Sequence, residues 1–126
     1  MNNEQKELLK RDLCARLPYG VKVVFDNGNP AHKTCDMTLY GIDIWLGQVS
    51  TGNGNFIYDI EYIKPYLRPM SSMTDSEKEY FFGLTEMKCT LGYAIDKVRF
   101  CLEHHLDMNK LIPKGIALEA PKGMYE

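Results

Sequence analysis

The sequence predicts an α+β fold: an N-terminal helix, a small curled antiparallel sheet of three to four strands with a barrel-like shape, and a helical C-terminal half packed on it. Three observations carry this. Leu8, Leu9, Leu13 and Leu17 recur at helical spacing. From Val21 the pattern changes to alternation, in "YGVKVVFDNGN". Thr74 and Glu77 then form an S/T-x-x-E signature ahead of a second stretch of helical period.

The first helix spans residues 3–17. Asn2 or Asn3 caps it, Lys6, Lys10, Arg11 and Arg16 fall largely between the leucines, and Pro18 and Gly20 stop it. The sheet spans residues 20–63. Val21, Val23 and Phe25 form one apolar strand face, and Asn27-Gly28 is a turn signal. Residues 34–49 read as two short strands, or one bulged strand, with Gly41 and Gly47 placed for corners. "STGNGN" is a loop, and "FIYDIEYI" is a short strand.

Pro65 and Pro69 make residues 64–73 a stiff strap, with one tight turn over 65–68, leading out of the sheet. The capping box starts a helix over 74–87 whose buried stripe is Tyr80, Phe81, Leu84 and Met87. Gly83, Thr90 and Gly92 favour a break near 88–92 and a further helix over 93–106, rather than one continuous helix. Residues 107–126 read as one more helical turn, a short strand and a turn. At 126 residues the chain is one domain.

Composition excludes some functions. Hydrophobic residues at 44% and charged residues at 25% are globular values. A net charge of −2 gives no basic footprint for nucleic acid. No apolar run reaches the length of a membrane helix and no signal-peptide core is present. The expected location is therefore the cytoplasm, with Cys14, Cys35, Cys89 and Cys101 as reduced thiols.

Motifs for chemistry are sparse. His32-x-x-Cys35 and Cys101-x-x-His104 have zinc-like spacing, and a closed Cys2His2 site is the one cofactor the residues point to; otherwise no cofactor is expected. The competing reading packs Cys101 in a helix stripe and leaves His104 in the last turn. Cys35 beside His32 and Lys33 lacks an oriented base, and Asp36, Asp43, Asp59 and Glu61 read as a solvated strand face. No catalytic residues are assigned. Trp45 and Tyr58 are expected in the core. Tyr62, Lys64, Tyr66 and Arg68 combine aromatic and basic character and form the candidate partner surface.

"LCARLPYGVKV", "YIKPYLRPMSSMT" and "LIPKGIALEAPKGMY" together resemble a family of small uncharacterised proteins carried by phages and mobile elements of gut bacteria. The resemblance covers both ends and the middle; residues 26–56 and the segment after Phe82 match poorly. Relatives place aromatics around the Asp before the final Leu-Ile, where this chain has His105, Leu106, Asp107 and Met108. The resemblance implies a prophage or mobile-element accessory protein and names no activity. The expected function is thus a non-enzymatic protein-interaction module. The alternative is a small metal-stabilised or nucleic-acid-associated regulator; a nucleic-acid protein would gather Lys6, Lys10, Arg11 and Arg16 with Lys22 or Lys64 on one face.

Overall fold

The computed structural model describes residues 1–86 and 91–125, the side chains of 35, 36, 53, 84–86, 91 and 93 excepted. The chain runs α1 (Asn3–Arg16), β1 (Lys22–Phe25), β2 (Thr34–Asp43), β3 (Gln48–Thr51), β4 (Phe56–Asp59), β5 (Ile63–Leu67), α2 (Asp75–Glu86), α3 (Leu91–Glu103) and β6 (Leu118–Glu119). The α+β class stands. None of the helices among the described residues is long and apolar enough to cross a membrane.

Helix α1 starts on a capping box. Asn2 Oδ1 accepts from the Gln5 amide at 2.8 Å, and Gln5 Oε1 accepts from the Asn2 amide at 3.1 Å. Its inward stripe is Leu9, Asp12, Leu13 and Arg16. Arg16 therefore corrects the sequence expectation of a surface cation. It is fully buried, donating to Asp12 at 2.7 Å and to the Leu106 carbonyl at 2.8 Å. Asp12 also accepts from Asn109 at 3.0 Å. The i, i+4 spacing of Asp12 and Arg16 lets one side chain neutralise the other inside the core.

The sheet has six strands in the order β4-β3-β2-β1-β5-β6, antiparallel throughout except for the β5–β6 pair. It is open, with β4 and β6 at its edges, and so is not the barrel the sequence predicted. Helix α1 supplies what barrel closure would have supplied. Leu9 and Leu13 pack with Val21, Val23, Leu39, Val49, Ile60, Ile63 and Leu67, and Leu111, Ile116 and Ala117 complete this core. Residues 34–49 resolve as two strands, with a bulge in β2 between Leu39 and Gly41. A Cβ on Gly41 would meet the Ser50 hydroxyl at 2.8 Å, which explains glycine in mid-strand.

The strap is also corrected. Residues 63–67 form strand β5 inside the sheet, and only residues 70–72 turn as 3-10 helix. Pro65 is tolerated because of register. Asp26 donates to the Tyr62 carbonyl at 3.0 Å, so the Val23–Pro65 pair falls at a position where β1 asks for no hydrogen bond. The missing N–H faces β6, which pairs only with Tyr66 and Leu67.

Thr74 and Glu77 form the expected box, at 2.8 and 3.2 Å. Two helices follow rather than one, since Tyr80 and Phe81 of α2 meet Phe100 of α3; residues 87–90, on which most of the expected break and Met87 of the expected stripe fall, lie outside the described residues. The Leu84 side chain is likewise not among those described. Of that stripe, Phe81 joins a second core with Met73, Phe100, Cys101 and Leu106, whereas Tyr80 is exposed. Helix α3 ends at Glu103, and residues 107–114 are a looped turn instead of a helical one. The Asp107 carboxylate accepts from the Leu111 and Ile112 amides at 2.7 and 2.9 Å, holding the loop without a helix.

Removing one member of the buried pair leaves the other charge uncompensated. Asp12→Ala is expected to lower unfolding free energy by about 3–5 kcal/mol in urea denaturation. The double change Asp12→Leu with Arg16→Met is expected to recover most of that loss.

Candidate interaction surface

Of the four residues expected to form a partner surface, the fold commits two to its own interior. Tyr66 is buried, and its carbonyl accepts from the Tyr125 hydroxyl at 2.8 Å. Arg68 grips Glu77 with both terminal nitrogens, at 2.7 and 2.9 Å, and also donates to the Ser72 and His104 carbonyls. Tyr62 is exposed and stands edge-on to Phe25, and Lys64 is half-buried on β5. The four do not make one continuous face: the segment is a structural seam.

The metal candidates are likewise dispersed. His32 sits exposed in a short turn against Asn29, and the Cys35 side chain lies outside those described. Cys101 is packed in the second core, where burial pushes its thiol pKa up and disfavours the thiolate a metal needs. His104 turns away to Glu77, its Nδ1 at 3.2 Å from the carboxylate, and stacks on Phe100. Among the described residues no group of three or more His, Cys, Asp or Glu side chains is placed to hold a metal ion.

A polar cleft of about 530 Å³ opens beside this seam, lined by Arg68, Thr74, Glu77, His104, Lys122 and Tyr125 among others. Glu77 is its electrostatic centre. The Arg68 hydrogen bonds, helped by the Thr74 cap, hold its carboxyl down to about 2. With Arg68, the Thr74 amide and His104 all upon it, this carboxylate is occupied as an anchor, tying α2 and α3 to the end of β5.

Next to the cleft, His105 is buried, has a left-handed φ of 59°, and stacks on Tyr125 at 3.7 Å. Burial, reinforced by the nearby Arg16 charge, lowers its pKa to about 4 and keeps it neutral. Burial raises Tyr125 to about 12. The Tyr125 hydroxyl accepts from the Lys22 amide at 2.9 Å and donates to Tyr66, so it stands where a direct β1–β5 ladder bond belongs.

Exposed apolar residues lie elsewhere: on α2 and α3 (Tyr80, Phe82, Ile95 and Val98), on β4, and at the β2–β3 hairpin, where one is almost wholly uncovered. Trp45 is 92% exposed rather than core, with Ile44 and Leu46 exposed beside it. Asp43 Oδ1 accepts from both the Trp45 and Leu46 amides at 3.0 Å, and Gly47, with φ 66°, closes the turn. The tip is thus held in one shape without a side-chain contribution from the tryptophan. It overhangs α1, and the groove between them, about 640 Å³, is lined by Glu7, Lys10, Arg11, Cys14, Ile44 and Trp45. The sequence signal for the tip is an Asp four residues before a glycine, around an apolar triplet that no turn composition rule favours.

Comparison with protein-family models, curated proteins and solved structures finds no match to this chain.

The two shifted groups make stability depend on pH in separable windows. His105 titrates at 4 when folded and near 6.5 when unfolded, so the unfolded chain takes up the proton first. Unfolding free energy is expected to fall as pH drops from about 6.5 to about 4, and His105→Phe to flatten that slope in pH-series urea melts. Glu77 adds a second loss as pH falls from 4.5 towards about 2, which Glu77→Gln removes.

Proposed function

We propose that this protein is a non-enzymatic interaction module that binds another polypeptide at the β2–β3 hairpin tip. The observation that carries the reading is Trp45: a tryptophan almost wholly in water, on a turn fixed by Asp43 and Gly47. Burying an apolar side chain is favourable by roughly 25 cal/mol per Å², and an exposed indole forgoes that gain until something covers it. Tryptophan is also the residue type most enriched among energetically dominant contacts in protein interfaces. Because the turn is already ordered, docking costs little additional conformational entropy.

The rim defines the partner's chemistry. Lys10 and Arg11 outnumber Glu7 along the groove under Trp45. The fitting ligand is a peptide segment with an apolar or aromatic residue next to acidic ones. The nucleic-acid alternative draws less support. Lys6 pairs with Glu61, Lys10 with Glu7, and Arg16 is buried on Asp12, so these cations do not form one unpaired face. The sequence resemblance to mobile-element proteins accords with an accessory role of this kind.

Trp45 is the single tryptophan of the chain, so its fluorescence reports on the tip directly. A true partner is expected to shift its emission to the blue. Trp45→Ala is expected to weaken binding by at least tenfold, about 1.4 kcal/mol, and Arg11→Glu to weaken it further at low salt. A partner that binds Trp45→Ala as tightly as the parent protein removes the reading.

A further inference from the structure

The two edges of the sheet are treated differently. β6 is two residues long and is followed at once by Ala120, Pro121 and Lys122, the usual devices that discourage another strand from pairing. β4 carries no proline, lysine or arginine. Its residues are Phe56, Ile57, Tyr58 and Asp59, and the first two are 58% and 64% exposed. Phe56 and Ile57 point to opposite faces of the sheet, so the edge is apolar on both sides.

The ladder shows which backbone groups are unused by the sheet. Ile60 donates to the Gly47 carbonyl at 2.9 Å, and β3 pairs Val49 with Tyr58 and Thr51 with Phe56. By antiparallel alternation, Phe56 and Tyr58 turn their N–H and C=O groups towards β3, and Ile57 and Asp59 turn theirs outward.

We infer that β4 pairs antiparallel with β4 of a second copy of this chain, about a twofold axis through Ile57, joining two sheets into one. Outward-facing residues must meet outward-facing residues, which leaves four centres on the strand. An axis at Phe56 opposes each apolar Ile57 to the polar Asn55. An axis at Asp59 opposes two carboxylates. An axis at Tyr58 opposes each Asp59 to an Ile57. An axis at Ile57 sets Ile57 against its own copy, Phe56 against Tyr58, and Asp59 against the amide-bearing Asn55. Only the last pairs like with like and leaves the sole charge of the strand beside a hydrogen-bonding neighbour. These residues offer on the order of 400 Å² from each copy, about 800 Å² in all, which is less than a standard specific interface, so the ladder hydrogen bonds must add to it and the pair is weak and concentration-dependent. The inference concerns the sheet edge and is independent of the Trp45 tip.

The test is sedimentation or light scattering of the full chain across a concentration series. The expected result is a mass that climbs towards twice the monomer for the parent and for Trp45→Ala, and stays monomeric for Ile57→Lys. Ile57 is exposed, so the lysine variant should keep its fold, which circular dichroism checks. Register is read by mild oxidation. Opposed residues in hydrogen-bonded pairs sit about 5.5 Å apart at Cα, within disulfide reach. Ile57→Cys is expected to give a disulfide between the two introduced thiols, mapped by mass spectrometry, and Phe56→Cys is not. A parent protein that stays monomeric at every concentration overturns the inference, as does an Ile57→Lys variant that dimerises equally. Equal cross-linking of both cysteine variants also overturns it.

Discussion

The structure depends on the buried ion pair between Asp12 and Arg16. Helix α1 contributes both members, but its partners come from the far end of the chain: the Leu106 carbonyl and the Asn109 amide. A charge pair with no solvent around it calls for further partners, and Leu106 and Asn109 supply them, which ties the course of residues 105–112 to α1. Asp107 then caps the Leu111 and Ile112 amides, its own N–H reaches the Arg68 carbonyl, and Arg68 N–H reaches His105. One polar network therefore joins the first helix, the fifth strand and the C-terminal loop. It also places Leu111, Ile116 and Ala117 in the core beneath α1.

The second tie is Glu77, and it does a similar task for the helical half. It is both helix cap and salt-bridge acceptor, so the start of α2 is anchored to the end of β5 and to His104, just past the end of α3. What looked like a run of partner-seeking aromatic and basic residues is the place where sheet and helices are sewn together. The Arg68–Glu77–His104 cluster is engaged in these internal ties, while Trp45 at the hairpin tip and Phe56 and Ile57 at the sheet edge stay exposed.

Much of the fold was legible because local rules and tertiary needs agreed. The α1 leucines, the glycine loop before β4 and the Thr74–Glu77 box each formed where their chemistry pointed. Pro65 misled because a proline reads as a strand breaker until the register is known; its N–H belongs to the side that needs none. Arg16 misled because an arginine among leucines is ordinarily a surface residue, and only Asp12 of its two buried partners is local; the other, the Leu106 carbonyl, lies ninety positions away. Residues 107–114 misled because helical composition lost to the Asp107 side chain, which took the amides a helix would have used. Trp45 was placed in the core on hydrophobicity alone, yet its turn was written in Asp43 and Gly47. Of the zinc candidates, Cys101 and His104 turn to different neighbours despite their spacing, which sequence distance cannot show, and the Cys35 side chain lies outside those described.

Tyr125 has a consequence for how the molecule is made. Its hydroxyl spans a gap between β1 and β5 and is separated from Lys22 by 103 positions. The middle of the sheet is thus finished by a side chain that leaves the ribosome long after both strands it joins have emerged. Early zipping can proceed through the hairpins β2–β3 and β3–β4, whose loops are short and inexpensive to close. The other end of the β1–β5 seam pairs directly, but its Lys22–Tyr66 end must wait for the tail, so a nascent chain halted before that tyrosine lacks this link between its two central strands.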